Sequence, residues 1–215
     1  PPLPIIVNFI DTKSKKKPFI PRHGKLTATE LNENNLRKII NREVVGDSYP
    51  FDSGKPNQVD YYIKDLIENF KRSNLMKIVS VNFGNGCGYA SYVDVFLTKK
   101  DGSTITKDKK YTTTIGITLY ICRLAPVAVL GLSENSAHDR GGGHTVLNYT
   151  SLGKIPNENW NPIINEINLR LNNFGYIVLR KREVQNLIDF DVDIRTIYTS
   201  KNEYRIFDAL FYFED

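Results

Sequence analysis

Ile115-Gly116-Ile117-Thr118-Leu119-Tyr120-Ile121-Cys122-Arg123-Leu124-Ala125-Pro126-Val127-Ala128-Val129-Leu130 is the stretch that decides the fold. Ile115, Ile117, Leu119 and Ile121 recur at every second position and so share one face of a strand. Val127 to Leu130 is apolar throughout, as expected of a central strand covered on both faces. The connection between the two runs is short, and short connections join antiparallel neighbours.

The same period of two extends upstream. Val79, Val81 and Phe83 alternate with Ser80 and Asn82, and Val93, Val95 and Leu97 follow. Gly84, Gly86 and Gly88 lie between these runs, so they read as a β-hairpin with a glycine-rich connection. Lys99 to Lys110, with Asp101-Gly102, is the turn into the Ile115 strand.

The period changes to that of a helix on either side. Val59, Tyr62, Ile63, Leu66, Ile67 and Phe70 form one apolar stripe, with Lys64, Asp65, Glu68 and Lys71 opposite. Asn57 is the expected cap. Trp160, Ile163, Ile164, Ile167, Leu171 and Phe174 form a second stripe. Pro162 fits in its first turn and Gly175 stops it. A thinner stripe at Leu31, Leu36, Ile39 and Ile40, behind the capping box Thr27 to Glu30, predicts a helix to about Val44. Further on we expect a short helix at Arg182 to Ile188 and strands at His144 to Tyr149, Ile194 to Tyr198 and Tyr204 to Phe213. Ser133 to Gly143 reads as a polar loop.

These elements predict a single α+β domain over residues 25–215. A mainly antiparallel sheet of about five to seven strands is packed by two principal amphipathic helices. Residues 1–24, rich in proline and lysine, read as an extended arm. The chain has 215 residues, 40% hydrophobic and 25% charged, which is ordinary globular composition. No apolar run reaches the roughly 18 residues of a membrane span. The apolar start, Pro1 to Ile10, lacks the pattern of a signal peptide. Cys87 and Cys122 form neither a Cys-x-x-Cys motif nor a zinc pattern, and we read both as free thiols of a reducing, cytoplasmic compartment. The net charge of +5 is spread along the chain apart from Lys13, Lys15, Lys16 and Lys17, which argues against a nucleic-acid surface.

Three places carry chemistry worth weighing. In Gly84-Asn85-Gly86-Cys87-Gly88-Tyr89, a cysteine among glycines is a candidate nucleophile, with His138 or His144 as its base. The order cysteine then histidine is that of papain-like hydrolases, which however set the cysteine at a helix start. A tight turn explains the same glycines. In Ala137-His138-Asp139-Arg140-Gly141-Gly142-Gly143-His144, the histidine spacing is wrong for a helical metal site, and no P-loop context surrounds the glycines. A surface loop is the simpler reading. Asp208, in an otherwise apolar run, needs a partner, and Arg195 or Arg205 would supply a structural ion pair. No cofactor or metal motif is present.

The run Ile121 to Gly131, Trp160 on a helix, Gly175-Tyr176 with Leu179, and Ile206-Phe207-Asp208-Ala209-Leu210-Phe211-Tyr212-Phe213-Glu214-Asp215 resemble, in that order, small bacterial immunity-type proteins associated with polymorphic toxins. The resemblance covers about the last hundred residues and rests on core positions. It implies a non-enzymatic, cytoplasmic protein whose partner is a cognate toxin, bound and blocked. It brings no binding residues with it. Nuclease inhibitors of this kind are acidic, so the basic charge here implies a target with an acidic or neutral face. The alternative is a cysteine hydrolase using Cys87 with His138 or His144.

Overall fold

The computed structural model describes residues 31–84, 88–108, 110–138 and 141–214. The arm of residues 1–24, the Thr27 to Glu30 capping box, Cys87, Asp139 and Arg140 lie outside the described residues.

The deciding stretch forms a long hairpin. Its strands are β5 (Tyr111–Cys122) and β6 (Val127–His138), paired from Tyr111↔His138 to Ile121↔Ala128. Antiparallel β3 (Tyr92–Lys99) lies on the other side of β5, and β1 (Met76–Asn82) forms the edge beyond it. The expected hairpin of β1 with β3 is therefore present. Short β4 (Ile105–Lys107) also pairs with β5. On the far side of β6 come β7 (Gly141–His144), antiparallel, and β8 (Ile177–Val178), parallel, completing a seven-stranded sheet. A separate pair joins β2 (Tyr89–Ala90) to β9 (Phe213–Glu214). The result is the expected α+β fold around a curled antiparallel sheet.

The apolar strands feed two cores, because alternate side chains leave opposite faces of the sheet. Val93, Val95, Leu97, Ile117, Leu119, Ile121, Ala128 and Leu130 pack under helices α2 (Pro56–Lys71) and α3 (Asn161–Asn173). Tyr92, Tyr120, Cys122, Val127 and Val129 pack on the other side, under α1 (Glu33–Ile40) and the C-terminal segment. That segment holds α4 (Lys181–Val184) and α5 (Ile206–Leu210).

The two principal helices follow their stripes. Val59, Tyr62, Ile63, Leu66, Ile67 and Phe70 are all buried on α2. The helix starts ahead of Asn57: Lys55 is the cap position and Pro56 opens the first turn, where its missing N–H costs nothing. In α3, Ile163, Ile167 and Leu171 are buried. Trp160 is buried in the 3-10 turn just before it, where the Asn157 side chain accepts the Asn159 N–H at 3.1 Å. Gly175 has φ 76°, the left-handed stop that the sequence predicts.

Elsewhere the structure corrects the sequence reading. Helix α1 is capped by Asn32, which accepts the Asn35 N–H at 3.0 Å, and ends at Ile40 rather than Val44. Ser133 to Gly143 is no loop: β6 runs on to His138 and returns as β7. Its ladder pairs Thr113 with Ser136 and Thr114 with Asn135. Those polar residues belong to a projecting ribbon end with water on its faces, where no apolar alternation is required. The expected strand at His144 to Tyr149 is confined to β7, and Ile194 to Tyr198 has no regular structure. Tyr204 to Phe213 is mainly helix α5, with strand only at β9. A short run apolar on all sides fits a buried helix and a buried strand equally.

The outer edge of β1 is managed. A register shift between Ile78 and Ser80 breaks the ladder, and Lys77 sits on the exposed rim. Bulges and lysines at an edge oppose pairing with a foreign strand.

Candidate functional site

The glycine-rich connection leads into a structural clamp. A Cβ on Gly88 would stand 2.0 Å from the Glu214 carbonyl oxygen, so only glycine lets β2 meet β9. Next to it, the Tyr89 ring has the Arg42 guanidinium at 4.1 Å and the Arg123 guanidinium at 5.6 Å. Arg42 pairs with Glu214. Arg123 makes two bonds to Asp60, at 2.7 and 2.6 Å, and a third to the Ala90 carbonyl at 2.8 Å. Every guanidinium here is committed to holding chain segments together. Arg42 itself sits at φ 64°, just past the end of α1, a strained position for a side chain.

The histidines lie at the opposite end of β5. Tyr92 pairs with Cys122 at one end of that strand and His138 with Tyr111 at the other, about 35 Å of strand away at 3.2–3.4 Å per residue. His138 packs its ring 4.7 Å from that of Tyr111, and the His144 backbone pairs with Asn135. Cys87 lies outside the described residues, and its described neighbour Gly88 is seated at the β2–β9 end. Cys122 is fully buried, and desolvation pushes its thiol up to about 11, which suits a core residue and not a nucleophile. Among the described residues no three His, Cys, Asp or Glu side chains are grouped to hold a metal ion. Asp208 is satisfied locally. Its carboxylate accepts the Arg205 N–H at 2.8 Å and the Thr199 hydroxyl at 2.7 Å, closing the first turn of α5. The Arg205 guanidinium, expected to pair with it, instead covers the Tyr149 ring at 4.2 Å.

What the sequence reading missed is a groove of about 1380 Å³. It runs between α3, the edge strand β8, the turn Thr150–Ile155 and the start of α4. Leu130, Leu152, Ile155, Ile164, Tyr176 and Leu179 give it an apolar floor. Burial holds the Tyr176 hydroxyl well above its usual pKa, so it stays neutral. The turn can lie flat on β6 because Gly131 has no side chain: a Cβ there would be 2.4 Å from the Ser151 oxygen. Leu169, 59% exposed, stands at the mouth.

Three polar features line this groove. Ile177 donates its N–H to the Pro126 carbonyl at 2.9 Å and Leu179 to that of Ala128 at 2.8 Å. In a parallel ladder alternate residues bond the same neighbour. Val178, between them, therefore turns its N–H and C=O away from β6, on the groove side. The Asn168 Oδ1 is buried without a hydrogen-bond partner. Lys154, Arg180, Lys181 and Arg182 are exposed along the rim, and none joins the ion pairs among the described residues. The one acidic side chain beside them, Glu183, is turned back to accept the Arg180 N–H at 2.6 Å. The Arg180-Lys181-Arg182 run is a legible signal that the charge survey passed over.

Fold and groove together define an α+β protein with an open, apolar-floored, basic-rimmed groove. Set against known proteins, the chain matches no family model, no curated protein and no solved structure. No helix among the described residues is long and apolar enough to cross a membrane.

Proposed function

We propose that the chain is a non-enzymatic, partner-binding protein of the immunity type, which holds a cognate toxin in the cytoplasm and blocks it. The observation that carries this reading is the groove. Its volume of about 1380 Å³ exceeds the roughly 300–1,000 Å³ of small-molecule pockets, and it is open along its length. A surface of that size and shape suits a segment of another protein. The apolar floor supplies burial, and the rim supplies charge selectivity and steering.

The test is capture followed by neutralisation. The tagged chain is used as bait in the cells that make it, beside a Leu169→Glu variant. The expected result is one stoichiometric partner whose toxicity, on expression in a naive host, is relieved by the wild-type chain. A captured partner that is harmless, or whose toxicity the chain leaves untouched, ends the immunity reading. Hydrolysis of a peptide or ester substrate, lost in Cys87→Ala, would replace it with an enzyme.

A further inference from the structure

Resting on that reading, we infer that the groove takes an extended, acidic and apolar segment of the partner, added as a strand beside β8. Four observations converge on this occupant. Val178 offers one N–H and one C=O on the groove side, which is what an incoming strand needs to start a ladder. Asn168, half-buried on α3 in the groove lining, keeps its Oδ1 buried and without a partner, an unsatisfied acceptor that an occupant ordering this wall can relieve. The floor of Leu130, Leu152, Ile155 and Ile164 receives the apolar side chains of one face of that strand. Its alternate, outward side chains meet Lys154, Arg180, Lys181 and Arg182, which lack carboxylate partners among the described residues. A period of two in the ligand, apolar then acidic, matches both surfaces at once.

The exposed edge of β1 is a poorer acceptor for the same strand, because its ladder is broken at Val79.

The experiment uses the full chain and a displayed library of random decapeptides, counter-selected on Leu169→Glu. Leu169 is 59% exposed, so this variant keeps the fold, checked by circular dichroism and melting temperature. The expected winners alternate apolar residues with Asp or Glu. A winning peptide shifts the Val178 amide resonance. It weakens at least about ten-fold when its alternate amides are N-methylated, and about ten-fold again against Arg180→Glu/Arg182→Glu, each step being roughly 1.4 kcal/mol. A lysine-for-glutamate copy regains binding to that double variant. Winners without acidic residues, winners that bind as helices, winners indifferent to N-methylation, or no groove-dependent winners overturn the inference. The two readings fail separately. A neutralised partner that binds the groove variants normally removes the strand-docking inference and leaves the immunity reading. Acidic strands that bind the groove while no partner is neutralised do the reverse.

Discussion

The two faces of the sheet are covered in different ways. On one side lie two regular helices, α2 and α3, whose backbone groups bond within themselves and whose contribution to the core is mainly aliphatic, with Tyr62 and Phe70 from α2 and Trp160 from the turn before α3. On the other lie short α1, shorter α5 and irregular chain, with Tyr92, Tyr120, Tyr204, Phe207, Phe211, Tyr212 and Phe213. A helix needs only an apolar stripe to cover a sheet. Irregular chain must also find partners for its own N–H and C=O groups. The tyrosines and one serine supply them. Tyr212 donates to the Ile39 carbonyl at 2.9 Å and Tyr204 to that of Ile194 at 2.9 Å, and Tyr120 accepts the Leu147 N–H at 3.1 Å. Ser91, fully buried, donates to the Leu210 carbonyl at 2.9 Å and accepts the Tyr212 N–H at 2.8 Å. The helical face needs only ties between its elements, such as Tyr62 donating to the Phe174 carbonyl at 3.1 Å and Arg170 to the Asn69 side chain at 2.6 Å, whereas the aromatic face uses its hydrogen bonds to satisfy irregular backbone.

Alkali is expected to have the largest effect, through buried tyrosines on both faces. Burial raises the pKa of Tyr92, Tyr120 and Tyr212 on the aromatic face; on the helical face it pushes Tyr62 of α2 up to about 12 and holds Tyr176 well above its usual value. A group whose folded pKa lies above its unfolded value of about 10 stabilises fully below that pH and loses its contribution as pH rises. Stability is therefore expected to fall from about pH 10 by roughly 1.4 kcal/mol per pH unit for each such tyrosine. Chemical denaturation between pH 8 and 12 measures it. Equal stability at both ends would mean these hydroxyls are not desolvated in solution.

Next in size is Trp160→Ala, which empties the fully covered space beneath α3 and is expected to cost about 3–5 kcal/mol. Urea unfolding gives the number, and a loss under 1 kcal/mol would show that α3 collapses onto the sheet. Ser91→Ala is expected to cost about 1–3 kcal/mol, because it strips partners from two buried backbone groups while barely changing volume. Tyr212→Phe is the smallest, about 1 kcal/mol. Its distinguishing readout is hydrogen exchange: protection should drop in α1 and remain unchanged in α2. Uniform loss over both helices would erase the distinction between the faces.

The same contrast explains which parts were legible. Helices α2 and α3 announce themselves because a stripe at i, i+3, i+4 and i+7 has no competing explanation over that length. Strands β1, β3, β5 and the start of β6 do so through alternation or through continuous apolar character. The C-terminal segment misleads because Asp208 alone interrupts Ile206 to Phe213, and its role is to cap a turn of helix. The far half of β6 misleads because a ladder that stands in water needs no apolar face. The candidate residues Cys87, His138 and His144 were chosen for their chemistry along the chain. The structure seats His138 at the ribbon end and places the groove elsewhere, on the side of β6 that carries β8. The groove is invisible in the sequence because its lining runs from Leu130 to Glu183 through four elements. Only the Arg180-Lys181-Arg182 run hints at its rim. Asn168 looks like any polar residue on a helix until its burial is known.

Tyr212 reaching Ile39 and Phe213 pairing beside Ala90 tie the last described turn of chain to the first. During synthesis the sheet can pair as soon as β6 has emerged, yet the aromatic core stays unroofed until Phe213 follows Cys122 out. At about 5–20 residues per second that interval is roughly 5–20 s. The chain thus passes a substantial part of its birth with a wet, aromatic sheet face open to the cell. Its yield in vivo will depend on what shields that face while the ribosome finishes.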